Sequence, residues 1–329
     1  MIKPAPIAAT ALLLALSALG GCGPSTVVVD GSGDGADPGG DTGKTADTSS
    51  TGDSTDTSGN TDSADTADTA DTDPPGDPAD CVEYGVIAVS SATLAYGASL
   101  DSYDASIGVY GGENMGSDAT VAVNGAGDCA LTSGATVAGD LYVSLDPAAG
   151  YCEEWGAAVS GGVHQLPGPA EVPTVAVPTG MPATQGSVYL NWGETRSFAG
   201  DETFDSLRFA YGSTVTVTAP SRIVTEEFSN EGAPLSIAPG ASLEVYVTGD
   251  TTVVWGSEMN SEGSPSQLRI YVVGNGTVSL ANGATMNAVV FAPDGAYTSA
   301  GTLSGALVAD TLNLEWGAVI HEDVSARCP

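Results

Sequence analysis

The sequence predicts an all-β protein, an irregular β-solenoid, with a β-sandwich as the alternative. Three observations predict it. From Cys81 onward the chain is rich in Gly, Val, Thr and Ala and carries alternating runs such as Thr214-Val215-Thr216-Val217-Thr218 and Leu243-Glu244-Val245-Tyr246-Val247. Apolar residues at every second position, bounded by glycines, mark strands, whose side chains alternate between faces. No amphipathic helical period interrupts this region. A loose motif also recurs: an apolar residue, two positions, Gly, a small residue, one position, then an apolar residue. It appears as Leu94-Gly97-Leu100, Leu131-Gly134-Val137, Phe209-Gly212-Val215, Ile237-Gly240-Leu243, Val253-Gly256-Met259, Leu280-Gly283-Met286 and Leu314-Gly317-Ile320, with degenerate copies around Gly156 and Gly301. Glycine adopts the positive φ of a sharp corner, and the flanking apolar residues point inward from the two strands that meet there. Stacked copies bury one continuous core, as in repeat folds whose turns are stable only against their neighbours. The glycines recur at unequal spacings, so the turns are irregular and some carry insertions.

The elements follow in chain order. Residues 1–21 read as a secretory signal: Met1-Ile2-Lys3, an apolar run from Ile7 to Leu19, then small residues before Cys22. The apolar run is shorter than the roughly 20 residues a helix needs to cross a bilayer. Leu19-Gly20-Gly21-Cys22 resembles the lipobox of bacterial lipoproteins, which implies lipidation of Cys22 and an anchored N-terminus. Two or more acyl chains anchor durably, each buried methylene contributing about 0.8 kcal/mol. Gly23 rather than Asp after the cysteine implies the outer membrane, with the domain facing the cell surface or the periplasm.

Residues 22–80 change abruptly to Asp, Thr, Ser, Gly, Ala and Pro, with no aromatic residue and one base, Lys44. Such a segment cannot bury enough apolar surface to offset its ordering entropy and is expected to be a disordered tether. The repeat Ala64-Asp65-Thr66, Ala67-Asp68-Thr69, Ala70-Asp71-Thr72 adds like charges that extend it. Its contour is on the order of 200 Å, enough to lift a domain clear of a membrane. The run Asp30, Asp34, Asp37, Asp41 lacks the ligand register of a calcium loop, so no cofactor is expected beyond weak Ca2+ binding.

Residues 81–329 form the solenoid domain. The Pro-rich stretch from Pro167 to Pro182 is expected to be a non-repeating crossover over its surface that divides it into two lobes. The chain's formal net charge of -34 excludes ordinary nucleic-acid binding, and the domain holds no Lys. Cys81, Cys129, Cys152 and Cys328 are an even set in an exported chain, read as two disulfides with three possible pairings. The two histidines, His164 and His321, and the absence of a Cys-x-x-Cys argue against a zinc site.

Several segments together resemble a known type of domain: Ser102-Tyr103-Asp104-Ala105-Ser106 with Gly108-Val109-Tyr110-Gly111, Gly134-Ala135-Thr136-Val137 with Gly139-Asp140, Pro265-Ser266-Gln267-Leu268-Arg269-Ile270-Tyr271, Phe291-Ala292-Pro293 and His321-Glu322-Asp323. They are similar to an uncharacterised, β-solenoid-like domain of unknown function found in bacterial surface lipoproteins and in type IV pilus assembly proteins of the PilX kind. The chain departs from that pattern at Asp294-Gly295, where Asn then Ala is common, and at Glu322, where Tyr is common. The resemblance implies an extracellular domain and carries over no catalytic residue.

Candidate sites are few. His321-Glu322-Asp323, with Asp294 as a spatial neighbour, offers a base beside carboxylates of the kind that serve glycoside hydrolysis, yet no nucleophile motif accompanies them. Trp155, Trp192, Trp255 and Trp316 sit beside glycines, where exposed rings stack on sugars or pack the corner. Tyr103 and Tyr110 are read as core or corner residues. The expected function is a noncatalytic, membrane-anchored surface lipoprotein with a structural or adhesive role; a polysaccharide-active β-helix enzyme and a carbohydrate- or ice-binding module are the alternatives. Expected partners are the membrane through the lipid anchor, cell-surface glycans and pilus components. The 23 residues between Cys129 and Cys152 are about one solenoid turn, which places them on neighbouring strands. That leaves Cys81 with Cys328, a bond that requires the last turn to return beside the first, out of sequence order.

Overall fold

A computed structural model describes residues 82–125, 129–145, 152–154 and 156–327. The signal, Cys22, the linker, Cys81, Trp155 and Cys328 lie outside the described residues. Among those described the protein is all-β, with 3-10 turns at Pro265–Gln267 and Val324–Ala326 and no α-helix.

Every ladder between named strands is parallel, and the ladders form three columns. The first runs through 202–204, 223–225, 245–247, 269–272, 289–292, 306–309, 86–88, 121–123, 141–143 and 163–165. The second runs through 187–190, 206–209, 228–230, 251–253, 278–280, 297–299, 312–314, 92–94, 129–131 and 152–154. The third runs through 195–198, 214–217, 235–237, 258–259, 285–286, 302–303, 319–320, 99–100, 136–137 and 158–159. Val86–Leu94 therefore lies between Thr302–Leu314 on one side and the strands Ala119–Val123 and Cys129–Leu131 on the other. From there the chain winds to one end of the stack at 162–165, crosses back, and rewinds from 187 until Val319–Asp323 pairs with Ser99–Tyr103.

Alternation explains why these segments stack. In Leu94, Leu131, Val253, Leu280 and Leu314 the inward side chain is at most 2% exposed, and all belong to one apolar core. Fully burying one such side chain stabilises by roughly 1.5–3 kcal/mol before entropy costs. At the end that begins with 187–198, Phe198, Phe204, Phe209 and Phe228 fill the core edge to face, and the Arg196 guanidinium covers Phe198 and Phe204, 5.0 Å from each ring centre.

The corner between the second and third columns explains the motif. At Ala95-Tyr96-Gly97-Ala98 the Ala98 amide donates to the Ala95 carbonyl at 3.0 Å, and Gly97 has φ 73°. This is a type II turn, whose third residue needs positive φ. The next residue faces the tight interior of the corner: Ala98, Ala135, Ser213, Ser257, Ala284 and Ala318 are fully buried, and only a small side chain fits. The copies at Gly97, Gly134, Gly212, Gly256, Gly283 and Gly317 all mark this one corner, whereas Gly240 turns from the third column into the first.

The Pro-rich crossover does not divide the domain into lobes; it straps one unbroken stack. The outer face of the first column carries a ring stack, Tyr246 on Tyr271 at 4.6 Å and Tyr271 on Phe291 at 5.2 Å, continued by Val308, Ile87 and Ala122. Leu166 and Ala170, with Val172 and Val175, pack with these residues as a second apolar cluster. Asn124 fixes the strap by donating to the Ala170 carbonyl at 3.0 Å and accepting from its amide at 2.8 Å. A chain of prolines suits this path, because it offers few amides that need ladder partners.

Cys129 and Cys152 face each other in register on adjacent strands, with Cα atoms 4.8 Å apart and their sulfurs joined.

Candidate functional site

His321, Glu322 and Asp323 lie on one strand, and strand alternation separates them. Val319–Asp323 pairs with Ser99–Tyr103, so His321 stands opposite Asp101 and Asp323 opposite Tyr103. His321 Nδ1 meets Asp101 Oδ1 at 2.6 Å, and the Tyr110 hydroxyl donates to Asp101 Oδ2 at 2.6 Å. The Tyr110 ring lies on the imidazole, centres 3.4 Å apart. Burial, then the hydrogen bond to Asp101 and its negative charge, push the Tyr110 phenol up to about 12. Asp101 is 220 residues from His321, and no local signal marks the pair. Ser304 precedes His321 in the same row of the third column. Among the described contacts, however, no hydrogen bond joins Ser304 to the imidazole. Asp101 orients His321 as an acid–base pair requires, but among the described residues no nucleophile is bonded to it.

Glu322 turns inward and is completely buried. Its carboxylate accepts from the Thr120 amide, from Thr120 Oγ1 at 3.1 Å and from Arg327 Nε at 2.5 Å. Arg327 also donates to the Asp118 carbonyl, and Gly85 donates to Thr120 Oγ1 at 3.1 Å. Gly85 has to be glycine, since a Cβ there would overlap the Glu322 side chain. Burial raises the Glu322 carboxyl, and the bonds to Arg327 and Thr120 offset only part of that. Asp323 is equally buried: its Oδ1 accepts from the Ala105 amide at 3.0 Å and from the Ser325 amide and hydroxyl, capping the turn Val324–Ala326. Tyr103 is buried beside it, and desolvation raises its phenol. Asp294 is exposed at the corner after 289–292, and no hydrogen bond or ion pair among the described residues links it to the other three. The four residues do not converge into one acid–base site.

A well-formed hollow lies elsewhere. A pocket of about 530 Å³ sits between 234–239 and the excursion 258–267, lined by Glu258, Asn260, Ser261, Glu262, Ser264 and Gln267 among others. Asn260 shapes the excursion with φ 54°, donating to the carbonyls of Ser264 at 2.8 Å and Asn287 at 3.2 Å. Two carboxylates border this pocket, but no aromatic side chain does. Neither Glu258 nor Glu262 was distinguishable in the sequence from other surface acids. Among the described residues no group of three or more His, Cys, Asp or Glu is placed to hold a metal ion.

The aromatic residues of the second-to-third corner are exposed. Trp192, Tyr211, Trp255, Trp316 and Tyr96 occupy the second position of their turns and are 60–75% exposed. Each leans over the glycine of the next turn in the stack: Trp192 over Gly212, Tyr211 over Gly232, Trp255 over Gly283, Trp316 over Gly97 and Tyr96 over Gly134. Trp192 and Tyr211 have ring centres 5.4 Å apart, and Trp316 and Tyr96 6.3 Å. The corner therefore uses one face of each ring for packing and leaves the rest to solvent. The sequence reading singled out the tryptophans; it missed Tyr96 and Tyr211, which hold the same position before Gly97 and Gly212.

A family model described as a domain of unknown function (DUF7305) matches residues 221–327, about a third of the chain. The matched segment runs from the strand Ser221–Glu231 to Arg327, the partner of Glu322. The comparisons with curated proteins and with solved structures return no match.

Proposed function

We propose that the chain is a noncatalytic lipoprotein of the bacterial outer membrane, whose β-solenoid is held off the membrane by an acidic tether and serves as a structural or adhesive surface. The observation that carries this reading is how the side chains are used. The residues best suited to acid–base work are spent on internal bonds: Glu322 joins the last strand to Thr120, Asp323 caps a turn, and Asp101 is shared between His321 and Tyr110. What faces solvent is a row of aromatic rings.

The solenoid reading is supported by the uniformly parallel ladders, since sandwiches are built from antiparallel sheets. Out-of-order stacking is supported by Val86–Leu94 pairing with strands from both ends of the domain sequence. Val82 bridges to Arg327, its amide donating to the Ala326 carbonyl at 3.1 Å, which supports a Cys81 to Cys328 disulfide immediately outside them. The lipobox Leu19 to Cys22 and the likeness to domains of surface lipoproteins and PilX-type pilus proteins support the location.

The test is a glycan array read for binding and turnover, with membrane fractionation of the native chain and Cys22→Ser. Expected are membrane release by Cys22→Ser and binding of surface glycans without product. Turnover of any glycan that is lost in Glu258→Gln or Glu262→Gln would overturn the noncatalytic reading in favour of an enzyme using the 530 Å³ pocket.

A further inference from the structure

The aromatic corner has a companion. Three residues before the second position of each of these turns, a side chain of the second column points outward. In successive turns these are Tyr189, Arg208, Ser229, Thr252, Ser279, Thr298, Asn313 and Thr93, each paired in register with the next. Ser229 is buried, but from Thr252 to Thr93 the row is made of small hydroxyl or amide side chains that are at least partly exposed, and it runs parallel to the ring row. Parallel strands repeat about every 4.8 Å, so the small polar row from Thr252 to Thr93 spans on the order of 19 Å and the ring row about 34 Å. Between its end strands, Ser187–Leu190 and Cys152–Glu154, the backbone amides and carbonyls of this column are engaged in its ladders. The strip therefore offers a ligand ring faces and side-chain hydroxyls, but no open strand edge.

We infer that the two rows form one binding strip for an uncharged polysaccharide chain lying along the stack axis; the inference rests on the adhesive reading above and names its ligand. The strip is long, shallow and repetitive, which matches a repeating polymer rather than a compact molecule needing a cavity. Sugars present C–H faces that settle on exposed ring faces, and hydroxyls that exchange hydrogen bonds with Ser, Thr and Asn. Charge selects among polymers. Glu194, Glu231 and Glu315 stand at the same corner, and the adjacent cation, Arg208, is paired with Glu231. An acidic strip without a free cation repels polyanions and leaves neutral chains as its partners. A peptide strand would need the backbone edge that the ladders have used.

The experiment uses the full-length chain in detergent, depleted onto microcrystalline cellulose and chitin as neutral polymers and onto alginate and polygalacturonate as polyanions. The comparison variants are Trp255→Ala/Trp316→Ala and Thr252→Ala/Asn313→Ala, whose side chains lie on the surface. Urea unfolding midpoints check that each variant is folded. Expected is retention on a neutral polymer only, weakened at least tenfold by the double tryptophan variant and several-fold by the polar one. Trp255→Phe/Trp316→Phe should recover part of the loss. Binding of neutral glycans that is indifferent to both variants would overturn the strip while leaving the adhesive reading in place. Preference for polyanions would overturn the strip's selectivity for neutral chains. Inhibition of ice recrystallisation that needs the polar row, without glycan binding, would reassign the face to ordered water. Failure to bind any glycan or cell surface would remove the adhesive reading as well.

Discussion

At the scale of single residues, the most consequential group is Glu322, a carboxylate of the last strand buried against Thr120 of the strand Ala119–Val123. Its folded pKa is raised, chiefly by desolvation, above the roughly 4.3 of an unfolded Glu. A raised folded value means that its contribution to stability is complete below the unfolded value and is lost as pH rises through the folded one. Stability should therefore fall as pH increases from about 4 toward neutrality, and Glu322→Gln should flatten that slope while keeping a partner for Thr120. Urea midpoints across this range test it; an equal slope in Glu322→Gln would place the pH dependence elsewhere. Arg327→Ala should cost more, on the order of 3 kcal/mol, because it leaves the buried carboxylate unpaired. In the sequence Glu322 stands out from His321 and Asp323 as a departure from the resembled pattern, with no mark of its burial. The strand period does predict that Glu322 faces opposite to both, but which face is buried depends on what packs there.

At the scale of the turn, the same corner is built repeatedly from different sequences, and its glycines carry two distinct burdens. Gly240 has φ 79° with open space where a Cβ would go, whereas Gly212 has φ 75° and lies beneath the Trp192 ring. An alanine in this backbone region costs about 1–2 kcal/mol from strain alone. Gly240→Ala should lose that much, and Gly212→Ala more, because the ring must also move. Adding Trp192→Ala to Gly212→Ala should remove the excess, which unfolding midpoints of the four proteins would show; equal losses at the two glycines would mean that the ring contributes no constraint. The motif made these corners legible, because positive φ and a small buried neighbour are local requirements. It did not tell the Gly240 corner from the others, since two corners of one stack make the same local demand.

At the scale of the whole molecule, the described domain begins in the middle of its own stack. Val82 and Arg327 are bridged, so the two ends of the described domain lie together, while the crossover near Thr179 and Gly180 is exposed. A circular permutant that joins Pro329 to Cys81 through a short Gly/Ser linker and opens between Thr179 and Gly180 would place the stacked strands in sequence order. It should fold to the same β-rich state, with Leu312 and Ala92 now close in sequence rather than 220 residues apart. Refolding should also be faster, because less loop-closure entropy precedes the pairing of those strands. A permutant that fails to fold, or refolds no faster, would show that the order of winding matters less than the strap that covers Tyr246 and Tyr271.

By itself the sequence determined what local chemistry can express: alternating strands, glycine corners with small buried neighbours, a prolyl crossover, and an acidic composition without Lys from Cys81 onward. Cys129 and Cys152 were readable for the same reason, since one turn of a repeating chain returns a residue to its neighbour's register. Only the tertiary structure decided which turns are adjacent. Parallel pairing is made through backbone groups that every residue carries, so Thr302–Leu314 bears no mark naming Val86–Leu94 as its neighbour. The features that depend on that adjacency were therefore hidden: Asp101 against His321, Glu322 against Thr120, and the row from Thr252 to Thr93. Their members come together because apolar faces stack into one core, and the polar side chains on the outside are carried into line with them.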